Sequence, residues 1–162
     1  MFGEPSLAFG ILLLAAAVIL WRKSNLLLKS EELAKMVKED SRKLIPDLIE
    51  MTRPLSYFAA VIGLGLIAIA FAGVTFQLFA APPEEPISGR FADYPMLEAT
   101  FISGLYALTG IGAVLFPFGL AKKESKILTV TGVLWAVVGV ALALFGAMNY
   151  FTHIGLIVNT MS

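Results

Sequence analysis

Few side chains in this sequence are able to do chemistry, and nearly all of them stand at the edges of apolar stretches. Glu84, Glu85, Asp93 and Glu98 surround a single cation, Arg90, in one short segment. Arg90 is expected to pair with one of these carboxylates and pin the segment. An anion or metal role for the acidic edge is the sharper alternative. His153 is the only histidine, so bis-histidine haem ligation within the chain is excluded. A His/Met haem would need His153 beside Met96 or Met148; a lone histidine at a membrane edge is more often a hydrogen-bonding cap. Cysteine is absent, which removes disulfides, thiolates, iron–sulfur centres and Cys-ligated zinc. There is no HExxH, no Walker loop, no GxSxG and no Ser/His/Asp set with its His in the right layer. The expectation is a protein without catalytic residues, metal or cofactor.

A second group of polar positions falls inside or beside apolar runs. Pro117 cannot donate to the carbonyl of Ala113, and Thr109-Gly110-Ile111-Gly112 lies just before that point. Bare carbonyls of broken helices form ion sites in transporters. Gln77, Thr109, Ala113, Arg90 and Glu98 are therefore the candidate polar site, and Gly110 would line a path with the first three. Ser103, Tyr106, Thr131, Trp135 and Asn149 are expected to make interhelical hydrogen bonds of about 0.6 kcal/mol each. The indole N–H of Trp135 in particular needs a partner. No Asp, Glu, Lys or Arg lies deep in an apolar run. That argues against a proton- or cation-coupled carrier, which keeps such a group despite its cost.

The elements that must position these residues follow from composition. The 162 residues are 58% apolar and 15% charged, with mean hydropathy +0.84. Soluble domains run at about 45–50% apolar and about 25% charged. A small soluble globule could not hide so much apolar surface, so the chain belongs in a bilayer. Twelve basic residues balance twelve acidic ones, and no basic stripe suggests nucleic acid.

Four stretches are nearly free of charge, at about 5–21, 55–81, 99–121 and 127–150. A spanning helix needs about 20 residues, with a range of roughly 17–25. The first run begins with Glu4 and ends in Trp21-Arg22-Lys23, which reads as a retained helix rather than a cleaved signal. Basic residues set direction. Segment 22–54 holds eight, the turn 122–126 holds three and the loop 82–98 holds one. Segments 22–54 and 122–126 are thus expected in the cytoplasm, with both termini outside the cell membrane.

Within 22–54, Ser30 is a good N-cap followed by Glu31 and Glu32. Leu33, Met36, Val37, Leu44, Leu48 and Met51 recur at helical spacing. The expectation is an amphipathic helix over about 30–44, a kink or restart at Pro46, and a short helix near 46–52 at the inner membrane surface. Docking of a soluble partner there is the functional alternative. Pro82-Pro83-Glu84-Glu85-Pro86 is expected to be extended, and Pro95 suits the first position of the third spanning helix.

The clearest pattern is a run of small residues. In the fourth span Thr129, Gly132, Ala136, Gly139, Ala143, Gly146, Tyr150 and His153 follow steps of three and four. Such a seam faces one neighbour continuously, and small residues let two backbones approach closely in lipid. The second span carries Ala59, Gly63, Leu66, Ala70, Gly73 and Gln77; the third carries Thr100, Ser103, Ala107, Gly110, Ala113 and Pro117. Gly132, Ala136, Gly139, Ala143, Gly146, Gly63, Gly73 and Gly110 are the candidate packing residues. The reading is all-α: a single membrane domain over 1–162, a four-transmembrane-helix bundle with a cytoplasmic amphipathic helix between helices 1 and 2.

Phe2-Gly3-Glu4-Pro5 before a Leu/Ala-rich helix, with Tyr94-Pro95, Glu98, Gly104-Leu105-Tyr106, Thr109-Gly110 and Pro117, resembles an uncharacterised, largely archaeal prokaryotic membrane family, domain of unknown function 981. The resemblance implies a small multi-pass protein and brings no catalytic residues. The functional expectation is a non-catalytic, helix-packing accessory or structural subunit of a membrane complex or homo-oligomer. Its partners would be other membrane helices, copies of itself, and lipid. A channel or carrier for a neutral solute, or a lipid- or quinone-binding subunit, is the alternative.

Overall fold

The computed structural model describes residues 10, 11, 14, 15, 17, 18, 21, 22, 31–122 and 125–161. The expected first span lies largely outside them, and the Ser30 cap wholly so. Within the described residues the chain is helical: α1 (Glu31–Thr75), a 3-10 turn (Ser88–Phe91), α2 (Pro95–Lys122) and α3 (Ser125–Met161). Each helix contains a stretch long and apolar enough to cross a membrane: Thr52–Thr75, Pro95–Ala121 and Lys126–Met161.

The expected division into two helices at Pro46 is not there. α1 continues through Pro46 and Pro54 as one helix of 45 residues. A proline removes one donor and crowds one carbonyl. The Leu-, Lys- and Glu-rich turns on either side keep their own ladder, and good helix formers favour continuation. The segment from Glu31 and the second apolar run are therefore one continuous helix.

α1 ends earlier than its apolar run suggests. Gln77 adopts φ 51°, and Leu78 N–H donates to Gly73 O at 3.1 Å. This is the six-to-one bond of a Schellman cap, with Gln77 at the left-handed position normally taken by glycine. A non-glycine residue there costs about 1–2 kcal/mol. Gln77→Gly should raise the thermal unfolding midpoint in detergent by relieving that cost; an unchanged or lower midpoint would contradict the assignment.

The connection to α2 is compact rather than extended. Glu85 N–H donates to Pro82 O at 3.2 Å, which closes a turn across Pro83 and Glu84. Proline suits the second position of such a turn. Gly89 N–H then donates to Glu85 O at 3.1 Å, leading into the 3-10 turn. α2 starts at Pro95 with Glu98 in its first turn, where the helix dipole favours an anion.

α2 is the central helix. It packs along α1 and against α3, and 44% of its apolar stretch is buried, against 11% for α3. Ala59 and Leu66 of α1 and Ala113 of α2 form the core, with Ile62, Ile69, Tyr106 and Trp135 packed around it. α3 runs past the expected end near Tyr150 to Met161, 37 residues in all, or about 55 Å. That exceeds an apolar core of about 30 Å. The excess turns lie against the 82–88 segment: Gly155 meets the Pro86 ring, and Asn159 Nδ2 donates to Glu84 O at 2.9 Å.

Candidate functional site: packing faces and an acidic cleft

The α1–α2 interface is built by removing side chains. A Cβ on Gly63 would stand 2.7 Å from Ala113 Cβ and 2.8 Å from Gly110 O. A Cβ on Gly110 would stand 2.5 Å from Gly63 O and 2.8 Å from Ile67 Cγ1. The two glycines thus let the backbones touch. Nearer the 76–94 loop, Gly73 lies against Ser103 and the Phe79 ring. Ala59, Gly63, Leu66, Ala70 and Gly73 are all buried, as are Ser103, Gly110, Ala113 and Pro117 opposite. Close backbone approach is what lipid rewards, because acyl chains solvate Leu and Ile as well as another helix does.

The α2–α3 interface uses large residues instead. Phe101 pairs with Phe145 at 5.7 Å and Phe116 with Trp135 at 5.4 Å, both tilted. Trp135 Nε1 donates to Thr109 O at 3.2 Å. Gly112 makes room, since a Cβ there would stand 2.5 Å from Nε1. The face of α3 turned to α2 therefore carries Thr131, Trp135, Val138 and Phe145. Trp135→Phe should keep the fold and lower stability by about 0.6 kcal/mol, the usual size of an interhelical bond in lipid. A loss several times larger, measured by detergent unfolding, would mean that the ring packing rather than the N–H is at stake.

The small residues of α3 lie elsewhere. Gly132, Ala136, Gly139 and Ala143 are exposed and Gly146 is half-buried. Among the described residues, no atom lies within 4 Å of a Cβ built on Gly132, Gly139 or Gly146. Of the candidate packing residues, Gly63, Gly73 and Gly110 are thus in tight contact, while among the described residues Gly132, Ala136, Gly139 and Ala143 stay exposed.

The candidate polar site is dispersed. Gln77 is exposed in the cap of α1, Arg90 is exposed in the 3-10 turn, and Thr109, Ala113 and Glu98 are buried on α2. Thr109 Oγ1 donates to Leu105 O at 2.8 Å. Gly110 and Ala113 lie in the packed α1–α2 contact, not along an opening. Ser103 and Thr131 were expected to bond across helices. Both hydroxyls are buried without a hydrogen-bond partner among the described residues; Ser103 lies against Gly73, which offers it no side chain.

The acidic edge is resolved differently from its sequence reading. Arg90 makes no ion pair among the described residues. Glu85 pairs with His153 instead, Oε1 to Nδ1 at 3.6 Å. Glu85 and Glu98 are 6% and 9% exposed. With Asn149 and His153 of α3 they line a cleft of about 250 Å³, walled by Leu78, Phe79 and Ile102 among others. Phe79 is held by stacking on Tyr106 at 5.5 Å. Glu85 and His153 are 68 positions apart (153 − 85), and only the extension of α3 beyond Tyr150 brings them together. The one sequence hint was that both stand at the same expected edge of the bundle. Among the described residues no three His, Asp or Glu side chains gather closely enough to hold a metal ion.

One comparison places the chain among known proteins. The family model described as Protein of unknown function (DUF981) matches residues 1–155. The chain belongs to that family. No curated protein and no solved structure matches it. The DUF981 match takes in α1, α2, the connecting loop and α3 as far as Gly155, so the glycine contact, the α3 small-residue row and the four polar residues of the acidic cleft lie inside it.

Proposed function

We propose that this DUF981 chain is a non-catalytic integral membrane protein that serves as a helix-packing accessory or structural subunit of a membrane complex or homo-oligomer. One observation carries the reading. The chain spends its small residues twice: in the tight contact of Gly63 with Gly110, and in the exposed row Gly132, Ala136, Gly139 and Ala143 on α3. Small residues are a poor surface for lipid and a good one for another helix. The row is its own complement, small against small, so a second copy is the simplest occupant. By the distribution of Lys and Arg, 22–54 and 122–126 face the cytoplasm and both termini face outward. The fourth span of this reading, residues 5–21, lies largely outside the described residues.

The test is the mass of the protein extracted in mild detergent and reconstituted in lipid nanodiscs. A defined assembly larger than 17.4 kDa is expected. A strictly monomeric protein at native expression levels would overturn the reading.

A lipid or quinone site is the second reading. It rests on a groove of about 310 Å³ between α1 and α2, lined by Ile67, Ala70, Phe71, Val74 and the unpartnered Ser103 among others. Mass spectrometry of the purified protein should then show a specific co-purifying lipid or quinone.

A further inference from the structure

We propose that the cleft at the loop end of α2 and α3 binds a small organic cation with N–H donors, an ammonium group, between Glu85 and Glu98. Two buried carboxylates stand against one imidazole, and no Lys or Arg lines the cleft. Glu98 is more than nine-tenths buried, and its Oε2 has no hydrogen-bond partner. A buried carboxyl group with an unpartnered oxygen calls for a hydrogen-bond donor, and a donor carrying positive charge also stabilises the carboxylate form. The side chain already accepts a bond from the Ala81 N–H, so an incoming cation meets a group held in place.

The chemistry of the walls selects the ligand. Among the described residues three hard ligands do not converge, which disfavours a metal ion, whereas an ammonium distributes its three donors over separated acceptors. Glu85, Glu98 and Asn149 supply those acceptors, Asn149 Oδ1 with one lone pair already turned to the Thr152 hydroxyl at 3.5 Å. Leu78, Phe79 and Ile102 suit a short alkyl portion. The volume, about 250 Å³, lies below the roughly 300–1,000 Å³ of drug-sized sites and fits a few heavy atoms. A free amine and the ammonium of a lipid headgroup share this chemistry.

The full chain is reconstituted in phosphatidylglycerol nanodiscs and titrated with ethanolammonium by calorimetry. In a parallel arm, phosphatidylethanolamine is doped into the nanodiscs and retained lipid is counted by native mass spectrometry. Saturable binding in either arm, weakened at least tenfold by Glu98→Gln and unchanged by Glu84→Gln, is expected. The responding arm identifies the source. His153→Gln should retain binding, because His153 competes for Glu85. Should Glu98→Gln fail to fold, Glu85→Gln makes the same test. No saturable amine binding in either arm overturns the proposal. So does binding of calcium or magnesium in place of the amine, or binding that Glu98→Gln leaves intact.

Discussion

Gly110→Ala should unfold more readily than the parent protein by about 1–3 kcal/mol, the usual cost of forcing atoms into a packed contact. The added methyl would stand 2.5 Å from the Gly63 carbonyl oxygen and 2.8 Å from Ile67. The first of these neighbours is backbone and cannot swing aside, so the helices must separate along the contact. Helix propensity alone would favour alanine by about 0.5–1 kcal/mol, and the steric term has the opposite sign and is larger. Gly104→Ala on the same helix supplies the contrast, since no described atom lies within 4 Å of its Cβ position. That substitution should be neutral or stabilising. Detergent-unfolding midpoints of the two variants measure the difference, and equal midpoints would mean the α1–α2 contact is not the close one described.

Gly139→Leu should leave the fold of the single chain intact and break its association. Gly139 is exposed and has open space around it among the described residues. A leucine there costs α3 nothing internally. Against a partner helix it props the backbones apart and removes the close approach that lipid favours. A misfit of about 1.4 kcal/mol is a tenfold loss of affinity, so the assembled fraction in nanodiscs at a fixed protein-to-lipid ratio should drop accordingly. Val137→Leu, also exposed but off the small-residue row, should change association little. A Gly139→Leu protein that assembles like the parent would remove the row from the interface.

The packing of α1 on α2 was legible in the sequence because two independent runs of small residues at three- and four-residue steps have no other use in an apolar helix. The same logic marked the α3 row without saying what it faces. It took Phe101, Phe116, Phe145 and Trp135 to show that α2 docks on a different, larger side of α3. Element ends were less legible. Gln77 holds a left-handed position that glycine normally marks, so composition carried the apolar run to Ala81 although the helix stops at Thr75. Pro46 signalled a break that the turns on either side override. The acidic cleft was half legible. Glu98 and the acidic edge stood out, but Arg90 is the nearest cation in sequence, and the pairing with His153 depends on how far α3 extends. No local pattern encodes a meeting between a loop and a helix end so distant along the chain.

The central claim, that α3 presents a small-residue face to a partner helix, is open to a direct measurement. The chain has no cysteine, so single cysteines can be placed along α3 from position 132 to position 144 and oxidised in native membranes. Cross-linked dimer should peak at 132, 136, 139 and 143 and fall away at 133, 137, 140 and 144. A flat profile, or a peak at the valine positions, would contradict it.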